Sequence, residues 1–160
     1  MNNGDKMGDK DIKDINYIVN TYSDMLFRLA YQYTRNSSES EDIVQDVFMA
    51  MLKKMPFKTE EYLKAWLIRV AINKSKNYLK SMRKKVLALD ENIKVPTYTH
   101  EDGLEEITLL PEFDRNAIYL YYYEGYSIKE IAKITGKSAN SINIRLCRAR
   151  EKLKNLLEER

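Results

Sequence analysis

Apolar residues recur at helical spacing through most of the chain. Ile15, Ile18, Val19, Tyr22, Leu26, Leu29, Ala30 and Tyr33 fall on one face, which predicts an amphipathic helix over about 12–33. The tetrapeptide RNSS interrupts it. Ser38 with Glu41 three residues on has the form of a capping box, so a second helix is expected from Ser38 to about Met55, ended by Pro56. The loop PFKT leads to a third helical pattern, from about Glu60 to Lys84, with Leu67, Ile68, Ala71, Ile72, Tyr78 and Leu79 on a broad apolar face.

The periodicity lapses over 86–103, where Pro96, Gly103, threonines and acids accumulate; this reads as a linker. Beyond it LEEITLL offers a short helix. Pro111 suits the first turn of the next, which should end near Gly125. Ser127 and Glu130 make a second capping box, opening a helix to about Ile134. The chain turns at TGK, and Ser138 can cap a last helix to about Leu157. The pattern therefore predicts an all-α protein: a three-helix unit over 1–85, a flexible acidic linker over 86–103 and a four-helix unit over 104–160. The last two helices of that second unit match helix-turn-helix anatomy.

Composition adds little to this until charge is laid along it. With 32% charged residues and only 5 Gly and 3 Pro in 160 residues, the chain suits helices. Net charge is +3, but its distribution is uneven. Residues 69–85 carry Arg69, Lys74, Lys76, Lys80, Arg83, Lys84 and Lys85 and no acid. Residues 86–114 carry eight acids against Lys94, and residues 127–154 eight bases against two acids. Two basic blocks flanking an acidic one suit two contacts on one long polyanion. Two solvated helix faces would show the same totals, so charge alone does not decide.

The faces of the helices are more telling. Around the last helix, Ile142, Leu146, Ala149 and Leu153 form the core stripe. Asn140, Ile144, Cys147, Arg148 and Glu151 point the other way, with Ser141, Arg145 and Lys152 on one flank and Asn143 and Arg150 on the other. Arg148 is placed to reach base edges in a major groove, and Arg145 and Arg150 to reach phosphates. Ile144 and Cys147, apolar on an outward face, suit thymine methyl groups. On the third helix Trp66, Arg69, Asn73, Lys76, Asn77 and Lys80 make one polar stripe. An aromatic beside bases suits stacking on single-stranded DNA; a tryptophan folded into the core with snorkelling lysines is the alternative. The second helix exposes Asp42, Gln45, Asp46 and Met49, a surface for a basic protein partner or a complement to the helix dipole.

Enzyme chemistry finds no foothold. The single histidine, His100, falls in the linker and the single cysteine, Cys147, on the last helix, so no metal site and no internal disulfide is expected. Glu60–Glu61 and Glu105–Glu106 open helices and read as dipole complements. No Gly-rich phosphate loop appears, and no cofactor or small-molecule substrate is expected. No apolar run reaches about 18 residues, so no membrane insertion is expected. The polar N-terminus has no signal-peptide segment, and a cytoplasmic location is the expectation.

At this point three motifs converge on a family. SEDIVQDVF, AWLIRVAINKSKNYL and GYSIKEIAKITGKSANSINIRLCRAREKL resemble bacterial RNA polymerase sigma factors of the extracytoplasmic-function group. The resemblance implies that 1–85 corresponds to sigma region 2 and 104–160 to region 4. It implies docking on core RNA polymerase through Asp42, Gln45, Asp46 and Met49. It further implies recognition and melting of the promoter −10 element by Phe57, Lys58, Trp66, Arg69, Asn73, Lys76 and Lys80. The −35 element would be read by Ser138, Asn140, Ser141, Asn143, Ile144, Arg145, Cys147, Arg148 and Arg150. It also implies an anti-sigma factor, in some relatives membrane-bound, as a further partner. Asn143 and Ile144 stand where the family often has a basic residue and a serine, which points to an unusual −35 preference. A stand-alone helix-turn-helix regulator is the competing reading.

Overall fold

The computed structural model describes residues 14–88 and 109–159, in two compact units, Met1–Thr97 and Tyr98–Arg160. Among the described residues the only regular structure is helical. The first unit packs three helices against one another: α1 (Ile15–Thr34), α2 (Ser37–Lys54) and α3 (Glu60–Ala88). Leu26 and Leu29 of α1, Val47 and Met51 of α2, and Leu63, Leu67 and Ile68 of α3 are fully buried between them. Each such side chain contributes about 1.5–3 kcal/mol relative to exposure, so this core is what sets the helices at fixed angles.

The corner between α1 and α2 is tighter than its sequence suggested. Arg35 closes α1 in the left-handed region, and Asn36, rather than Ser38, is the N-cap of α2: its side-chain oxygen accepts the Glu39 amide at 3.0 Å. The Thr34 and Ser40 hydroxyls share a hydrogen bond at 2.6 Å, and both oxygens lie against the Asn36 carbonyl, Thr34 at 3.1 Å and Ser40 at 2.8 Å. Replacing Asn36 by alanine should therefore cost about 0.5–2 kcal/mol, and replacing the exposed Ser38 next to nothing. Thermal melting of the two variants checks this, and equal losses would return the cap to Ser38.

Thr59 opens α3, accepting the Tyr62 amide on its hydroxyl at 3.1 Å. Glu60 does more than complement the helix dipole. Its carboxylate accepts the hydroxyls of Tyr22 at 2.7 Å and Tyr17 at 3.1 Å, tying the start of α3 to α1. At the other end α3 runs four residues past the expected Lys84, to Ala88, because Val86, Leu87 and Ala88 include no helix breaker. The first three positions of the expected linker are thus helical; 89–103, with Asp90, Glu91, His100, Glu101 and Asp102, lie outside the described residues. Burial, and after it the negative charge of Glu39, raise the Tyr78 phenol above its ordinary value, so it stays a neutral hydroxyl at physiological pH.

In the second unit, the helix expected on LEEITLL lies mostly outside the described residues. Pro111 precedes α4 (Glu112–Ile118), which continues without a break into a π-helical turn over Tyr119–Tyr123. Gly125, at φ 76°, ends it. Ser127 and Ser138 cap α5 (Ile128–Thr135) and α6 (Ala139–Glu158), each accepting an amide three residues on at 3.1 Å. Gly136 sits between them at φ 72°, a conformation only glycine adopts without strain. Leu120, Ile131, Ile142 and Leu146 are fully buried and hold α4, α5 and α6 together.

Candidate nucleic-acid interface

The turn at Gly136 fixes how α6 presents itself. With Ile142, Leu146 and Ala149 buried, the opposite face must point outward, and Asn140, Asn143, Ile144, Cys147 and Arg148 are exposed on it. Ile144 keeps 43% of its surface, enough to meet a groove. Cys147 donates its thiol weakly to the Asn143 side-chain oxygen at 3.9 Å, which leaves the Asn143 amide hydrogens outward. Leu153, expected in the core stripe, is only half-buried, and Ser141 is half-buried beside its exposed cap Ser138.

The basic residues of α6 separate into different roles. Arg148 is exposed. Arg150 is exposed with its guanidinium 5.4 Å from the Tyr121 ring and 5.5 Å from the Tyr122 ring, which stiffens it without covering it. Lys152 donates to the Leu109 carbonyl at 2.9 Å. Arg145, expected on the phosphate-facing flank, instead donates to the Asp114 carboxylate at 2.9 Å and lies 5.0 Å from the Phe113 ring centre. Asp114 and Phe113 went unnoticed in the sequence, where PEFD reads only as a helix start.

On α3, Arg69, Asn73, Asn77 and Lys80 are exposed along one side, while Trp66 and Lys76 are half-buried. Trp66 is thus partly packed and partly open. What packs it is Phe57, 5.2 Å away between ring centres. Phe57 itself is 2% exposed, so the expectation that it contacts a DNA base is corrected: from the core it can only brace Trp66 from below. Lys58, next along the loop, is exposed. Tyr62, half-exposed and 6.0 Å from Phe57, joins the same aromatic group and was not singled out from sequence. An open aromatic edge beside Arg69, Asn73 and Lys80 can stack on an unpaired base while neutralising its backbone.

The third surface lies on α2. Asp42, Gln45, Asp46 and Met49 are all exposed, Met49 at 57%, and Leu52 one turn further extends the apolar part. An exposed methionine and leucine beside carboxylates give this face a mixed apolar and acidic character. Among the described residues no cluster of His, Cys, Asp or Glu could hold a metal ion, and no helix is long and apolar enough to cross a membrane.

Comparison with known proteins decides the family. A model of Sigma-70 region 2 matches residues 18–85, and one of Sigma-70 region 4 matches residues 104–153. The ECF RNA polymerase sigma-E factor of Haemophilus influenzae is 30% identical over 96% of this chain and 91% of its own length. The chain is an extracytoplasmic-function sigma factor. RNA polymerase sigma factor SigV of Bacillus subtilis is 28% identical over 77% of this chain and 78% of its own. Among solved structures, the sigma factor RpoE from Bartonella quintana, crystallised with the anti-sigma factor NepR, shares the fold of this sigma factor. It superposes with a TM-score of 0.70 at 24% identity, over 91% of this chain and 98% of that one. CnrH in complex with the cytosolic domain of CnrY gives 0.62 at 23% identity, over 92% and 89%. A stand-alone helix-turn-helix regulator is thus not favoured: such a protein has no use for a region 2.

Proposed function

We propose that this sigma factor docks on core RNA polymerase through Asp42, Gln45, Asp46 and Met49 of α2. Trp66, Arg69, Asn73, Lys76 and Lys80 of α3, with Lys58 of the preceding loop, then read and melt the −10 element. Ser138, Asn140, Ser141, Asn143, Ile144, Cys147, Arg148 and Arg150 read the −35 element. The observation that carries this reading is the outward α6 face, with Arg148 exposed opposite a buried Ile142–Leu146–Ala149 stripe. Each DNA contact alone is small. Tethering them on one chain held by polymerase makes the second contact intramolecular and raises its effective concentration. Transcription in vitro with purified core polymerase and a promoter library tests the whole: discrete start sites are expected, and none at any sequence would end the proposal.

The docking face makes its own prediction. Asp46→Lys reverses an exposed charge that has no packing role, so the fold should persist while affinity for core polymerase falls. A folded Asp46→Lys protein that binds core polymerase normally would remove α2 from the interface. The RpoE and CnrH structures each contain a second protein, in RpoE's case an anti-sigma factor. By extension this chain is held inactive by a partner covering the same docking surfaces, and it acts in the cytoplasm, where polymerase is. The acidic run 86–103 would thread the polymerase's RNA path and mimic its charge.

A further inference from the structure

Arg145 lies on the recognition helix, one turn before Arg148, and is paired within the protein although its side chain keeps 31% of its surface. Its guanidinium donates to Asp114 at 2.9 Å, and the Asp114 side chain keeps only 12% of its surface. The same guanidinium rests 5.0 Å from the centre of the Phe113 ring, and Lys137, on the helix-turn-helix turn, places its ammonium 4.7 Å from that ring. Two consecutive residues of α4 thus hold two of the cations that the turn and the recognition helix carry. A carboxylate with most of its surface removed from water is poorly screened, so the pair is little weakened by salt.

We propose that Asp114 is a positioning residue that sets the sequence-independent, salt-dependent part of the recognition helix's affinity. It withholds the Arg145 charge from DNA phosphates and so lowers the affinity of the recognition helix for duplex of any sequence. The inference rests on the reading of α6 as the −35 reader. Its physical basis is that phosphate contacts carry affinity without sequence information, whereas base contacts carry both. A helix that offered Arg145, Arg148 and Arg150 together to phosphates would bind duplex of every sequence more tightly, by the same increment. Neutralising one of them internally leaves Arg148 to make the sequence-dependent contact against a lower background.

The test compares the unsubstituted chain with Asp114→Asn, Asp114→Ala and the double variant Asp114→Asn/Arg145→Met. Binding to labelled duplexes with a matched or a scrambled −35 element is followed across salt concentrations. Freeing one cation should steepen the slope of log K against log salt by about 0.9 on both duplexes. The matched-to-scrambled ratio should stay that of the natural chain, since a phosphate contact adds equally on both duplexes, and the double variant should return to the natural slope. Melting curves establish that each variant is folded; Asp114→Asn keeps the shape and one acceptor oxygen if Asp114→Ala does not fold. An unchanged slope in a folded Asp114 variant overturns the inference, as does a double variant shallower than the natural chain, which would make Arg145 a phosphate contact already. If the natural chain itself, free and in holoenzyme, does not distinguish matched from scrambled −35 DNA, the α6 reading fails first and takes this one with it.

Discussion

Alanine in place of Leu146 is expected to abolish −35 discrimination while leaving polymerase docking in place. Leu146 is fully buried where α6 meets α4 and α5. Truncating such a leucine costs about 2–5 kcal/mol, the transfer of its lost methyl groups plus the cavity they leave. The second unit, Tyr98–Arg160, is small, and a core of that size supplies about 3–5 kcal/mol in all. The substitution therefore consumes most or all of the unit's stability. The first unit has its own core of Leu26, Leu29, Val47, Met51, Leu63 and Leu67, and the Asp42–Met49 face rests on that core alone. Two measurements check the prediction. Thermal unfolding should lose the second unit's contribution in Leu146→Ala, and core-polymerase binding should stay near that of the natural chain. Leu146→Met, which keeps volume, should cost under about 1.5 kcal/mol and retain discrimination. Full discrimination by Leu146→Ala would mean that α6 does not depend on this core to hold its outward face.

How far the sequence could be read depends on the range over which each feature is encoded. Ser127 and Ser138 were legible as caps because the donor they satisfy is three residues away. The buried stripe of α6 was legible because its period is a property of the helix alone. Asn36 was misjudged because two good capping residues stand two positions apart, and the choice is made by Thr34 and Ser40 on either side. The end of α3 was placed too early because a loss of amphipathic pattern was taken for a loss of helix; Leu87 is exposed yet helical. Arg145 and Phe57 fail for a different reason. Helical angle says which way a side chain leaves the axis, not which neighbour waits there. Asp114 is 31 residues from Arg145, and the aromatic group of Phe57, Tyr62 and Trp66 is assembled only when the loop folds against α3. Family resemblance could not supply these either, since it carries over a position and not the contact that this chain makes there.

Arg148→Ala should lose about 1–3 kcal/mol on a matched −35 element and much less on a scrambled one, because a bidentate contact to a base edge is what the exposed guanidinium is placed to make. The comparison with Arg148→Lys sharpens the expectation. Lysine keeps the charge, and with it any phosphate attraction, but cannot reproduce the planar fork. If Arg148 reads a base, lysine should recover the salt dependence and little of the discrimination; if it only anchors a phosphate, lysine should recover both. The neighbours decide how clean the outcome is. Asn143 and Cys147 touch only weakly, at 3.9 Å, and Arg150 is steadied over Tyr121 and Tyr122. The measurement is holoenzyme binding to the two duplexes across a series of salt concentrations. Equal losses on matched and scrambled DNA would move the sequence reading to the exposed Asn143 and Ile144.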